Sequence, residues 1–223
     1  MRTTNRLASF ATPFAGLAVA FTLAVAPADA GVIVDTGQPV GMNPGYSILP
    51  PGAIFGPDFP GQAIAGRFTV DVAYTITDIE GVVARFGGGD AVTYHIALYE
   101  DGPGPNHWVP GAELFNVALS TSGFGTSLIG ANGLDWKIGP GSYWVGFEAR
   151  AGDTLNGYMP YFAPNPLRQA LGPVGAYRPA LGAPSGTILI QGFVPEPQAW
   201  ALMLLGFGAA GAMLRAHRRM AIA

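Results

Sequence analysis

The stretch Val92-Thr93-Tyr94-His95-Ile96-Ala97-Leu98-Tyr99 sets a large apolar residue at every second position. In an extended chain Val92, Tyr94, Ile96 and Leu98 share one face, and Thr93, His95, Ala97 and Tyr99 share the other. A period of two is that of a strand with one face in a core. Working outward, Phe68, Val70, Val72 and Tyr74 alternate in the same way. Ile79–Phe86, Leu114–Leu119, Tyr143–Glu148 and Thr187–Phe193 are further strand candidates, with Phe115, Val117 and Leu119 pointing inward. Turn signals separate them: Gly87-Gly88-Gly89-Asp90, Asp101-Gly102-Pro103-Gly104, Gly139-Pro140-Gly141 and Ala151-Gly152-Asp153. Short strands with such turns predict an all-β, antiparallel β-sandwich over residues 31–194. The Pro- and Gly-rich segments 37–61 and 163–185 are expected to be irregular covers over sheet edges.

Composition narrows the chemistry. Of 223 residues, 49% are apolar and 11% charged, with 33 Gly, 20 Pro and no Cys. The apolar share excludes disorder by lack of hydrophobicity. Without cysteine there are no disulfides, thiolate nucleophiles or Cys-ligated metal clusters. Residues 31–194 carry 12 carboxylates against 6 Lys and Arg, a net charge of −6, so no basic field is offered to nucleic-acid phosphates. A body of about 164 residues can bury one core without covalent staples.

The two ends differ from the body. Residues 1–30 carry Arg2 and Arg6, an apolar stretch from Phe14 to Val25, and Pro27-Ala28-Asp29-Ala30 before Gly31. That order is a secretory signal peptide with cleavage expected after Ala30. Residues 195–223 open with Pro195-Glu196-Pro197 and Trp200, continue as an apolar run from Ala199 to Leu214, and end with Arg215, His217, Arg218 and Arg219. As a helix the run spans about 24 Å, slightly short of the hydrocarbon core, and Trp200 and the arginines extend it at the interfaces. Arginines at the C-terminal side place that end in the cytoplasm, so the body lies outside the membrane. Two prolines pin φ and remove amide donors, so 195–197 stays extended and presents accessible backbone.

This tail resembles the PEP-CTERM sorting signal of exported proteins of Gram-negative bacteria that make exopolysaccharide. The resemblance rests on Pro195, Glu196 and Pro197, Trp200, the run Leu202-Met203-Leu204-Leu205-Gly206-Phe207-Gly208, and the basic end Arg215, Arg218 and Arg219. It implies that exosortase, a membrane-embedded transpeptidase, recognises the tripeptide. It also implies transient inner-membrane anchoring, cleavage, and delivery to the cell surface or extracellular matrix. Membrane physics alone fits a plain anchor with a proline hinge; the three signals in fixed order favour sorting. Gly206-Phe207-Gly208-Ala209-Ala210-Gly211 matches G-x-G-x-x-G, but the chain ends before the acidic residue a dinucleotide site needs. Ile96–Gly102, Pro110–Leu114 and Gly139–Trp144 resemble jelly-roll domains of surface-sorted bacterial proteins, which implies architecture and leaves the ligand open.

Candidate chemistry in the body is sparse. No serine stands in G-x-S-x-G, and His95 and His107 belong to no metal-binding spacing. Glu100 and Asp101 read as a hairpin turn or as a calcium site lacking the spaced D-x-D-x-D-G loop. Glu100 with Glu113 or Glu148 would serve a glycosidase only across a cleft of about 5–9 Å. Trp136, alternating with Leu134 and Ile138, is expected in the core. Trp108, in a loop, and Trp144, facing out, are the candidates for glycan stacking, since flat rings suit a pyranose face. The sequence therefore predicts a non-enzymatic, exported body with no cofactor or metal, structural or exopolysaccharide-associated, with a carbohydrate-binding module and a secreted glycan hydrolase as alternatives.

Overall fold

The computed structural model describes residues 30–39, 45–53, 56–86, 90–103, 108–123, 125–160, 163–165, 167–180, 186–195 and 197–220, the side chains of 197–202 and 216–220 excepted. The signal-peptide segment, Glu196 and His107 lie outside the described residues. In chain order come β1 (Gly31–Asp35), β2 (Tyr46–Ile48), β3 (Ala63–Val70), β4 (Tyr74–Arg85) and β5 (Val92–Asp101). There follow β6 (Pro110–Thr121), β7 (Gly125–Ala131), β8 (Trp136–Ile138), β9 (Gly141–Glu148) and β10 (Gly157–Met159). Then come β11 (Arg168–Gly172), β12 (Arg178–Pro179), β13 (Ile188–Phe193) and one helix, α1 (Pro197–Met220).

Two antiparallel sheets result. One runs β1-β13-β4-β10-β2 with β7 and β8 also paired to β4; the other runs β12-β11-β3-β9-β5-β6. The pairings β5·β6, β4·β7, β3·β9 and β1·β13 are nested, as in one long hairpin rolled over on itself with its tip between β5 and β6. Nesting brings the first and last strands of the body together, Gly31 opposite Gly192.

The period-two pattern accounts for the core. Tyr94, Ile96 and Leu98 of β5, Val145 and Phe147 of β9, and Ile64, Phe68 and Val70 of β3 face Ile76, Ile79 and Val83 of β4 and Ile188 and Ile190 of β13. Burial of these apolar side chains at about 25 cal/mol per Å² is the main favourable term. Trp136 is buried as expected and stacks on Phe115, ring centroids 5.4 Å apart.

Three expectations need correction. The alternation Phe68–Tyr74 does not make one strand: the chain turns at Asp71-Val72 and passes from one sheet to the other, leaving Val72 exposed. Segment 163–185 contains β11, a full member of the second sheet whose Ala170 is buried against Ala65. Segment 37–61 likewise contains β2, which pairs β10. Strong Pro and Gly punctuation masked these short strands.

Gly81 on β4 packs beneath Phe147: a Cβ there would lie 2.6 Å from the Phe147 ring and 3.0 Å from Met159 Cε. Gly81→Ala is expected to cost about 1–3 kcal/mol in denaturant unfolding through overpacking. Gly139→Ala, in open space, should stay within about 0.5 kcal/mol.

Candidate functional site

The sorting junction follows directly from β13. That strand is hydrogen-bonded on both sides, to β1 and to β4, and ends at Phe193. Val194 and Pro195 are exposed and in no regular element, and α1 begins at Pro197. Proline at the first helical position loses no hydrogen bond, because that amide has no partner within the helix, and its φ suits the first turn. The proline-flanked motif therefore joins a fully paired strand to a helix through a short exposed link.

The helix stands away from the body. Across residues 203–215 every position but Gly211 is exposed, with Leu204 73%, Phe207 71% and Met213 74% accessible. These apolar side chains lie around the whole circumference. Among the described residues no helix is long and apolar enough to cross a membrane. The described side chains of α1 cover only about 20 Å at 1.5 Å per residue. Arg215 follows the apolar run directly, and Arg218 and Arg219 stand about one turn farther along the helix.

Trp108 and Trp144 are not brought together as a platform. Trp144 does alternate away from Val145 and Phe147, but it is fully buried rather than facing solvent. A second, smaller core covers the outer face of its sheet: Trp144 packs with Ala65, Ala97, Tyr99 and Ala170 under Val109 and Tyr177. Its indole N–H donates to Asp101 Oδ1 at 2.9 Å, and Asp101 accepts two charge-assisted bonds from Arg67, Nε at 3.1 Å and Nη2 at 2.7 Å. Asp101, expected in a solvated turn, is thus a structural anchor, and its carboxylate holds the Arg67 guanidinium above its ordinary pKa. Trp108 is exposed, and the Arg168 guanidinium lies 5.0 Å from its ring centroid. That cation–π contact occupies one ring face.

The carboxylates form a closed network. Glu148 is fully buried on the outer face of β9, where Oε1 accepts from the Tyr99 hydroxyl and from the Tyr177 hydroxyl at 2.5 Å. Arg150 donates through Nε to Glu148 Oε2 at 2.8 Å and through Nη2 to Glu113 Oε2 at 2.5 Å. Burial works against the Arg150 charge, but Glu148 and Glu113 outweigh it and raise its pKa. One guanidinium is thus bonded to both carboxylates. His95 projects from the same face and pairs through Nδ1 with Asp153 Oδ2 at 2.8 Å, which also accepts the Arg150 amide. Glu100 is exposed. Among the described residues no group of three His, Cys, Asp or Glu side chains is placed to hold a metal ion.

A cavity of about 450 Å³ lies between Phe59, Pro60 and Gln62 on one side and Leu171, Pro173 and Arg178 on the other. Beside it a hollow of about 210 Å³ shares Pro60–Gln62 and is bordered by Arg150 and Val174. No carboxylate or histidine lines either one, so neither offers a general acid–base pair.

Residues 193–219 match the family model of the PEP-CTERM protein-sorting motif. The PEP-CTERM segment begins on the last residue of β13, covers the exposed link, and runs through α1. It marks an exported protein that exosortase processes, and it requires anchoring in the membrane until processing. No curated protein and no solved structure matches the chain.

The buried phenols give a pH signature. Burial pushes Tyr94 up to about 12, and burial together with the Glu148 charge raises Tyr99 and Tyr177 well above the ordinary phenol value. In the unfolded chain tyrosines ionise near pH 10, so above that pH the folded state binds more protons and stability falls as pH rises. Unfolding free energy is expected to decline from about pH 10 through 12. Tyr99→Phe, measured by denaturant titration, should show a shallower decline.

Proposed function

We propose that the body, residues 31–194, is a non-enzymatic jelly-roll sandwich of the Gram-negative cell surface or extracellular matrix, structural or exopolysaccharide-associated. In this reading residues 1–30 are removed as a signal peptide, and residues 195–223 hold the protein in the inner membrane until exosortase cuts. One observation carries it: β13 completes the sheet two residues before Pro195, while α1 is apolar on every side and left uncovered. A helix apolar all round belongs inside a larger apolar phase, and a bilayer is the phase that the flanking Trp200 and arginines fit.

Two features support the reading. Gly31 opposite Gly192 sets the first residue of β1 beside the end of β13, an arrangement that suits a body tethered to one membrane. The nested strand pairs are those of a double Greek-key roll, which supports the jelly-roll assignment.

The test is made in a host that carries exosortase. Pro195→Ala combined with Pro197→Ala should leave a precursor that still bears α1, visible as a larger band. The melting temperature of its body should stay within about 2 °C, because neither proline lies in the core. Normal processing of this variant would remove the tripeptide from the recognition step.

A carbohydrate-binding module is the second reading, and exposed Trp108 is the observation that favours it. Stacking on one tryptophan contributes about 0.5–1.5 kcal/mol, so a module dependent on it would lose several-fold in affinity on Trp108→Ala. The structural reading expects unchanged retention of that variant on host exopolysaccharide.

A further inference from the structure

We propose that the outer edge of β6 is a self-association surface, pairing antiparallel with β6 of a second copy of this chain about a two-fold axis at Ala118. β6 ends the second sheet and pairs only β5. Among the described residues no backbone hydrogen bond is made from the outer side of 115–121. An unpaired strand edge is a row of donors and acceptors that folded proteins ordinarily blunt with charge, proline, bulges or brevity.

Most other edges are blunted in those ways. β12 is two residues, one of them Pro179. β1 is five residues broken by a register shift between Val32 and Val34, and β2 and β8 are three residues each. β7 has none of these devices, but Gly125 and Gly130 leave only residues 126–129 between them. On β6 the register shifts lie opposite Tyr99 and Asp101, whereas Phe115-Asn116-Val117-Ala118-Leu119-Ser120-Thr121 pairs β5 residue for residue with no shift. That run has no charge, glycine or proline.

The run is also complementary to itself. With Ala118 opposite Ala118 of the second copy, Val117 meets Leu119, Phe115 meets Thr121 and Asn116 meets Ser120, so every pair keeps its face of the sheet. Phe115, Val117 and Leu119 are only partly buried against the core, and pairing would extend that apolar layer across the axis. Seven pairs would make about six to eight backbone hydrogen bonds. The neighbouring carboxylate, Glu113, lies beyond the paired run and is already neutralised by Arg150. No like charges meet within the run.

The test uses the full chain in mild detergent, with mass measured by light scattering. Ala118 is exposed on the solvent face, so Ala118→Lys leaves the core intact while setting two ammonium groups against each other. The native chain is expected to be a dimer, the dimer dissociation constant should rise at least about tenfold in Ala118→Lys, and an equal mixture of Ala118→Lys with Ala118→Glu should restore the dimer. Ala118→Cys, the sole thiol in a chain without cysteine, should cross-link to a dimer with a short bismaleimide. A monomer at about 100 μM overturns the proposal, as does a dimer that Ala118→Lys leaves unchanged, which would place the contact on α1, or an Ala118→Cys chain that does not cross-link.

Discussion

The backbone ladder between β1 and β13 closes the body. Its register, Gly31 opposite Gly192 through Asp35 opposite Leu189, joins residues about 160 apart in sequence and forms the outermost of the nested pairs. Contacts of such separation cost loop-closure entropy and form only once much of the chain is available. The sandwich is therefore completed by its own last strand, two residues ahead of Pro195. Among the described residues, everything after β13 can leave without breaking a strand pairing.

The second sheet is buried on its inner face and on part of its outer face, and this reorganises the chemistry that its side chains offer. Inward, β5, β9 and β3 supply the aliphatic core. Outward, small residues at Ala65, Ala97 and Gly146 leave a hollow into which Tyr99, Tyr177 and Glu148 fit; a Cβ at Gly146 would come within 2.9 Å of Glu148 Oε1. Burial of a carboxylate is tolerable because two phenols and a guanidinium satisfy both of its oxygens. The same guanidinium, that of Arg150, ties Glu113 on β6 to Glu148 on β9, so the network braces the sheet across three strands. Glu148, Arg150 and Tyr99 together hold this part of the outer face shut.

Much of this was readable from period-two alternation. It located β5, β6, β9 and β13, and it correctly set His95, Ala97 and Tyr99 on the face opposite Tyr94, Ile96 and Leu98. The outward direction of Trp144 was also readable; its burial was not. Alternation says which face a side chain takes but not whether something distant covers that face. The cover here comes from Val109 and from Tyr177, the latter in a segment whose glycines and prolines give no strand signal. Phe68–Tyr74 failed for the converse reason: a turn between sheets at Asp71-Val72 contains neither Gly nor Pro, so the alternation seemed to run straight through it. The sorting junction was the most readable element of all, because proline, tryptophan, apolar run and arginine signal by residue type and order, without reference to partners elsewhere in the chain.

Sorting, anchoring and an independent body stand or fall on whether α1 is temporary. Intact-mass measurement of the mature protein recovered from its native host decides this most directly. The expected species begins at Gly31 and lacks residues 200–223, with the whole sandwich through Phe193 retained. A mature population that keeps the helix to Ala223 would contradict the account.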